Sequence, residues 1–141
     1  MLIVHNKANE KRLKKLKKLM RPKKKSLPVL KRTLDRVFSL WVRRNATSCY
    51  CCDKRYEASI LQAGHFVSRV HLNTRWEPRN VKPCCMACNV WRNGNLSMFA
   101  QHLVEEYGVT ILAELNAQAH VTRKMTRADY EALISKYSND L

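Results

Sequence analysis

Six cysteines in two clusters constrain this chain more than any other feature. Cys49-Tyr50-Cys51-Cys52 and Cys84-Cys85-Met86-Ala87-Cys88 each contain a Cys-x-x-Cys pair, Cys49/Cys52 and Cys85/Cys88. Four thiolates at that spacing reach one tetrahedral ion at about 2.3 Å, so a structural zinc is predicted to join distant pieces of chain. Cys51 and Cys84 stand beside these ligands and either could replace its neighbour, but two intervening residues is the favoured spacing. The 32 residues between Cys52 and Cys85 exceed the roughly 15 to 20 of a simple zinc ribbon, so this loop is expected to carry a site of its own.

Charge narrows the class of partner. The 141 residues hold 27 Lys and Arg against 11 Asp and Glu, a net charge of +16, which favours a polyanion over an acidic small substrate. Residues 1 to 44 carry 16 of the basic side chains with only Glu10 and Asp35 as acids. No apolar run reaches about 18 residues and the N-terminus lacks a signal-peptide core, which predicts a cytoplasmic protein outside the membrane. In that reducing compartment cysteines are read as metal ligands before disulfides.

The hydrophobic pattern predicts an α+β chain: a small zinc-stapled core with flanking helices and a basic N-terminal arm. In residues 10 to 20, Leu13, Leu16 and Met20 form one narrow stripe among lysines, ended by Pro22 and Lys23-Lys24-Lys25. Residues 1 to 27 are therefore read as a mobile arm that becomes helical on DNA, with Lys14, Lys15, Lys17, Lys18, Lys23, Lys24 and Lys25 on phosphate. A basic amphipathic helix lying on a membrane surface is the weaker reading. Residues 28 to 141 form one domain with its core at 49 to 95. Its first helix runs from Pro28 to about Arg44, with Leu30, Leu34, Val37, Phe38 and Trp41 on the buried face. Two short strands are expected within Ile60 to Val67 and Val81 to Pro83. C-terminal helices fill 96 to 138: one capped by Asn95 and ending at Gly108, one over 109 to 119, and one from Thr126 with Asp129 as a capping box.

Within and beside the cysteine loop, His65, Asn80 and Asn89 fall in the His-Asn-Asn order of HNH (ββα-metal) endonucleases. Phosphodiester hydrolysis needs a base for water, an electrophile for the developing charge, and a group that orients the base. His65 is the candidate base. Asn80 would fix the hairpin and the imidazole, and Asn89 would offer an amide oxygen to Mg2+ or Mn2+. His71 is a further candidate as metal or phosphate ligand, and Arg75, Arg79 and Arg92 are candidates to clamp phosphate.

These residues resemble a known family. Ala63-Gly64-His65-Phe66, Thr74-Arg75-Trp76, Arg79-Asn80-Val81 and Cys85-Met86-Ala87-Cys88-Asn89 with Asn93-Gly94-Asn95 are similar to the core of the phage NinG/Rap recombination nucleases. The likeness extends over roughly residues 10 to 138. It implies a metal-dependent cut in branched DNA, Holliday junctions and related joint molecules, with other phage recombination proteins as candidate partners. A two-fold substrate also makes a homodimer attractive. One departure stands out: many HNH nucleases have Asp-His where this chain has Gly64-His65. Glu77, Glu57 or His71 then supplies the missing ligand, or His65 itself binds the metal. The alternative kept open by this gap is a non-catalytic zinc protein that binds nucleic acid.

Overall fold

A computed structural model describes residues 7 to 141; the part of the expected arm before Lys7 lies outside them. The chain runs α1 (Lys7–Met20), α2 (Leu27–Arg43), β1 (Gln62–His65), α3 (Leu72–Arg75), β2 (Val81–Cys84), a π-helical turn (Ala87–Trp91), α4 (Leu96–Tyr107), α5 (Ile111–Ala119) and α6 (Arg127–Asn139). It is an α+β chain whose sheet, among the described residues, is one antiparallel hairpin pairing Gln62 with Cys84 and His65 with Val81.

Two apolar cores flank that hairpin. In the first, α2 lays Leu30, Leu34, Val37 and Phe38 against Trp76, Val81, Tyr130 and Tyr137, with α6 opposite. Trp41, expected on this face, is half-buried and packs its ring against Tyr137 at 4.8 Å between centroids. Pro28 occupies the first turn of α2, where a missing N–H costs nothing. At the far end of the chain Thr126 and Asp129 close the expected capping box of α6, each satisfying the other's backbone N–H. The second core gathers five cysteines with Leu61, Val67, Phe99, Leu103, Ile111 and Leu115. Hence α4 and α5 form the wall behind the cysteines.

One local reading changes. Asn95 stands at the N-cap position of α4 but its side chain does not cap; its backbone is left-handed (φ 46°) and its amide donates to Cys88 Sγ at 3.5 Å. The arm is helical over Lys7–Met20. Glu10 in its first turn and Lys17 and Lys18 in its last complement the helix dipole, and long unbranched side chains favour the helix intrinsically. Leu13, Leu16, Leu19 and Met20 all stay exposed, so this helix gains nothing from tertiary packing. No helix among the described residues is long and apolar enough to cross a membrane.

Candidate functional site

The cysteines converge as two tight turns. In the first, Asp53 N donates to Cys49 O at 2.9 Å and Cys49 N to Lys54 O at 2.9 Å; in the second, Asn89 N donates to Cys85 O at 2.9 Å. Tyr50 N bonds Pro83 O at 2.8 Å and ties the first turn to β2. Sγ atoms of Cys49, Cys52, Cys85 and Cys88 all lie within 4.8 Å of one another, with Cys52 and Cys85 3.9 Å apart. A tetrahedron of about 2.3 Å bonds has edges of roughly 3.8 Å, so the four predicted thiols fit one zinc ion. Cys85 N–H points at Cys49 Sγ (3.3 Å) and the Asn95 amide at Cys88 Sγ, donors that favour thiolate charge. Cys51 and Cys84 meet each other at 3.6 Å beside this set, and both can also group with Cys49.

His65 and Asn89 share a cleft of about 480 Å3, walled by α2 on one side and by β1 and the cysteine-bearing turn on the other. His65 ends β1, and its Nε2 lies 2.9 Å from Arg75 O. A carbonyl only accepts, so Nε2 carries the proton and Nδ1 the lone pair. Burial, then the nearby charges of Arg69 and Arg75, hold His65 below the ordinary histidine pKa despite that hydrogen bond, which keeps it neutral. Asn89 sits inside the π-helical turn, not at a regular helix start, and its Nδ2 donates to Gln62 Oε1 at 2.7 Å.

Asn80 lies outside the cleft and is fully buried. Its Oδ1 accepts from Val67 N (2.7 Å), while Nδ2 donates to Val67 O (3.0 Å) and Thr74 O (2.9 Å). It therefore joins the chain leaving β1 to the residue before Arg75, the carbonyl that holds His65. No carbon side chain of similar size could satisfy all three backbone groups.

The remaining candidates scatter. His71 precedes α3, away from the cleft, with its ring 5.5 Å from that of His120. Arg75 lines the cleft but is 8% exposed, its guanidinium bound in a fork to Asp35 (2.8 and 2.7 Å) and to Arg69 O (2.6 Å). Arg79 pairs with Glu77 and Glu114 outside the cleft. Arg92 is exposed beyond the π-helical turn, and Lys14 to Lys25 lie along α1 and the link to α2. Of the acids named for the missing ligand, Glu57 lines a separate depression and Glu77 faces Arg79 and Gln118.

Asp35 is the one carboxylate lining the cleft among the described residues, and sequence reasoning missed it. Arg75, Arg69 (3.3 Å) and the indole N–H of Trp76 (3.0 Å) all donate to it. Burial alone would raise its pKa, but the hydrogen bonds and charges of Arg75, then Arg69, bring it below the usual aspartate value. A further consequence concerns Gly64. A Cβ there would lie 2.6 Å from Cys84 Sγ, closer than real Cβ contacts allow, and a tight 3.2 Å from Asn89 Oδ1. An aspartate at this position would therefore force Cys84 to move.

No curated protein and no solved structure matches the chain. The family profile described as Bacteriophage Lambda NinG protein matches residues 4–141, which places the cysteine turns, the hairpin and the cleft within one family's span: the chain belongs to the NinG family.

Proposed function

We propose that this NinG-family chain is a phage recombination protein that acts as a metal-dependent endonuclease on branched DNA, Holliday junctions and related joint molecules. One observation carries the reading. A hairpin and a cysteine-held turn bring His65 and Asn89 into a common basic cleft, while Asn80, in HNH order between them, holds the loop that orients the imidazole.

In this reading neutral His65 takes a proton from water through Nδ1, and Arg75 O fixes the tautomer by accepting from Nε2. The depressed pKa keeps the base form at pH 7, so the acid limb of the cleavage profile should fall below pH about 6.5, the ordinary histidine value. Arg69, half free of Asp35, and Arg43, whose Nη1 bonds Leu61 O at 3.0 Å, give the cleft its positive potential. With His65 Nδ1 serving as the base, Asn89 Oδ1 is the neutral oxygen available to a divalent cation, which suits an ion bound largely through substrate phosphate. When bound, Mg2+ or Mn2+ would neutralise charge developing on the phosphoryl oxygens. The lysines of α1 and residues 23 to 25 would add affinity without sequence choice by displacing counterions.

Labelled linear, flapped and four-way DNA incubated with and without Mg2+ tests this. His65→Ala should lose about 10²- to 10⁴-fold in rate with DNA binding and zinc retained. Asn89→Ala should recover in part at high Mg2+ or Mn2+, because a lost ligand oxygen weakens the ion where a lost base does not. Wild-type rates from His65→Ala, or binding without cleavage by the intact protein, would reject catalysis at this cleft.

A further inference from the structure

The π-helical turn has a second face. Asn89 points into the cleft, whereas Met86, Val90 and Trp91, spaced four and five apart, turn to solvent at 49%, 52% and 73% exposure. Trp91 is the most exposed aromatic side chain among the described residues. Phe38, Trp76, Phe99, Tyr130 and Tyr137 are buried, and Tyr107 is 38% exposed.

Its mount is rigid. Arg92 N bonds Ala87 O (3.0 Å), Gly94 N bonds Cys88 O (2.9 Å) and Asn95 N bonds Arg92 O (2.8 Å), while Cys85 and Cys88 anchor the turn in the thiol cluster. Left-handed backbone at Asn93 and Gly94 (φ 48° and 88°) makes the bends that these bonds need. A π-helical turn inserts a residue into the helical repeat, and such insertions often mark functional positions. An indole held this way in water forfeits the burial that a tryptophan side chain would otherwise give. Arg92 beside it is exposed and makes no side-chain hydrogen bond or ion pair among the described residues.

We propose that Trp91, with Val90 and Met86 exposed on the same turn and Arg92 next to it in the chain, is a stacking platform for a base left unstacked at a branch point, and that it selects branched over continuous DNA. This rests on the nuclease reading and adds to it a residue that chooses the substrate. The occupant follows from the chemistry. The chain carries +16, so the partner is a polyanion, and Arg92 supplies a cation where its phosphate would run. The indole offers a flat apolar face, which phosphate does not use and every nucleobase does. Within continuous duplex that face of each base is already covered by its neighbours, whereas at a branch point it is free. Asn89 and Trp91 are two residues apart, at most about 7 Å along the chain, so one strand can meet the cleft and the platform together.

The test uses the full chain, with Mg2+ omitted to prevent cleavage and zinc content checked for each variant. Binding is measured to a four-way junction, a flap carrying 2-aminopurine at the branch, and a linear duplex of the same sequence. Trp91→Ala should weaken junction and flap binding about 10-fold, leave duplex binding within about 2-fold, and abolish quenching of 2-aminopurine; Trp91→Phe should keep most of both. Equal losses on all three DNAs, or no loss on any, would overturn the platform, as would a shift from dimer to monomer in Trp91→Ala, which would assign the face to a second copy. Failure of the wild-type chain to bind any DNA would sink the nuclease reading itself. Wild-type binding and cleavage with an indifferent Trp91 would sink only the platform.

Discussion

Around Phe99 five of the twelve core residues are cysteines; around Phe38 none of nine is. The first half is therefore built around a thiol cluster that can hold a metal, and the second is held by ordinary burial of aromatic and aliphatic groups. The hairpin belongs to both, with Leu61 and Cys84 in one core and Val81 in the other. A lone two-stranded hairpin is marginal in water, so His65 keeps its place only while both halves hold. The site lies on a seam, and its geometry reports on two unlike sources of stability.

Breaking the metal-built half should have the largest effect. Cys49→Ser should release zinc and unfold the region around Phe99, since zinc contributes about 10–16 kcal/mol to folding in small zinc peptides. Elemental analysis with near-UV circular dichroism measures both, and a zinc-free protein with native spectra would end the distinction between the halves. Striking the other half is expected to cost less. Phe38→Ala removes a fully packed ring, at about 3–5 kcal/mol, yet should leave zinc bound in native conditions. If zinc release and loss of the α2–α6 signal coincide in denaturant for Phe38→Ala, the two halves unfold as one unit. The smallest effect on stability belongs to α1, which packs on neither. Deleting Lys7–Met20 should leave the unfolding free energy unchanged to within about 0.5 kcal/mol while flattening the dependence of log affinity on log salt. An unchanged salt slope would remove the arm from the DNA interface.

What could be read from the sequence was local. The stripe of α2, the Thr126–Asp129 box and the Cys-x-x-Cys pairs depend on neighbours within a turn or two, and each appears where its spacing predicts. The order His65, Asn80, Asn89 was legible as a pattern, but not that Asn80 would stand behind the cleft instead of in it. Contacts across the fold left little trace. Asp35 meets Arg75 across forty residues, and its one sign was to be the lone acid on a helix whose other charged residues are all basic. Arg75 consequently looked free for phosphate, though its fork is engaged by Asp35. Nearness in sequence to His65 says nothing of direction, and the intervening bend carries His71 to His120.

The crowding at Gly64 also ties two positions together through time. Because a Cβ at 64 would run into Cys84 Sγ, a carboxylate can enter there only after residue 84 has become smaller or has moved. Substitutions in the reverse order pass through an overpacked intermediate, at a cost typically of about 1–3 kcal/mol. The sulfur at 84 and a carboxylate at 64 thus compete for one volume.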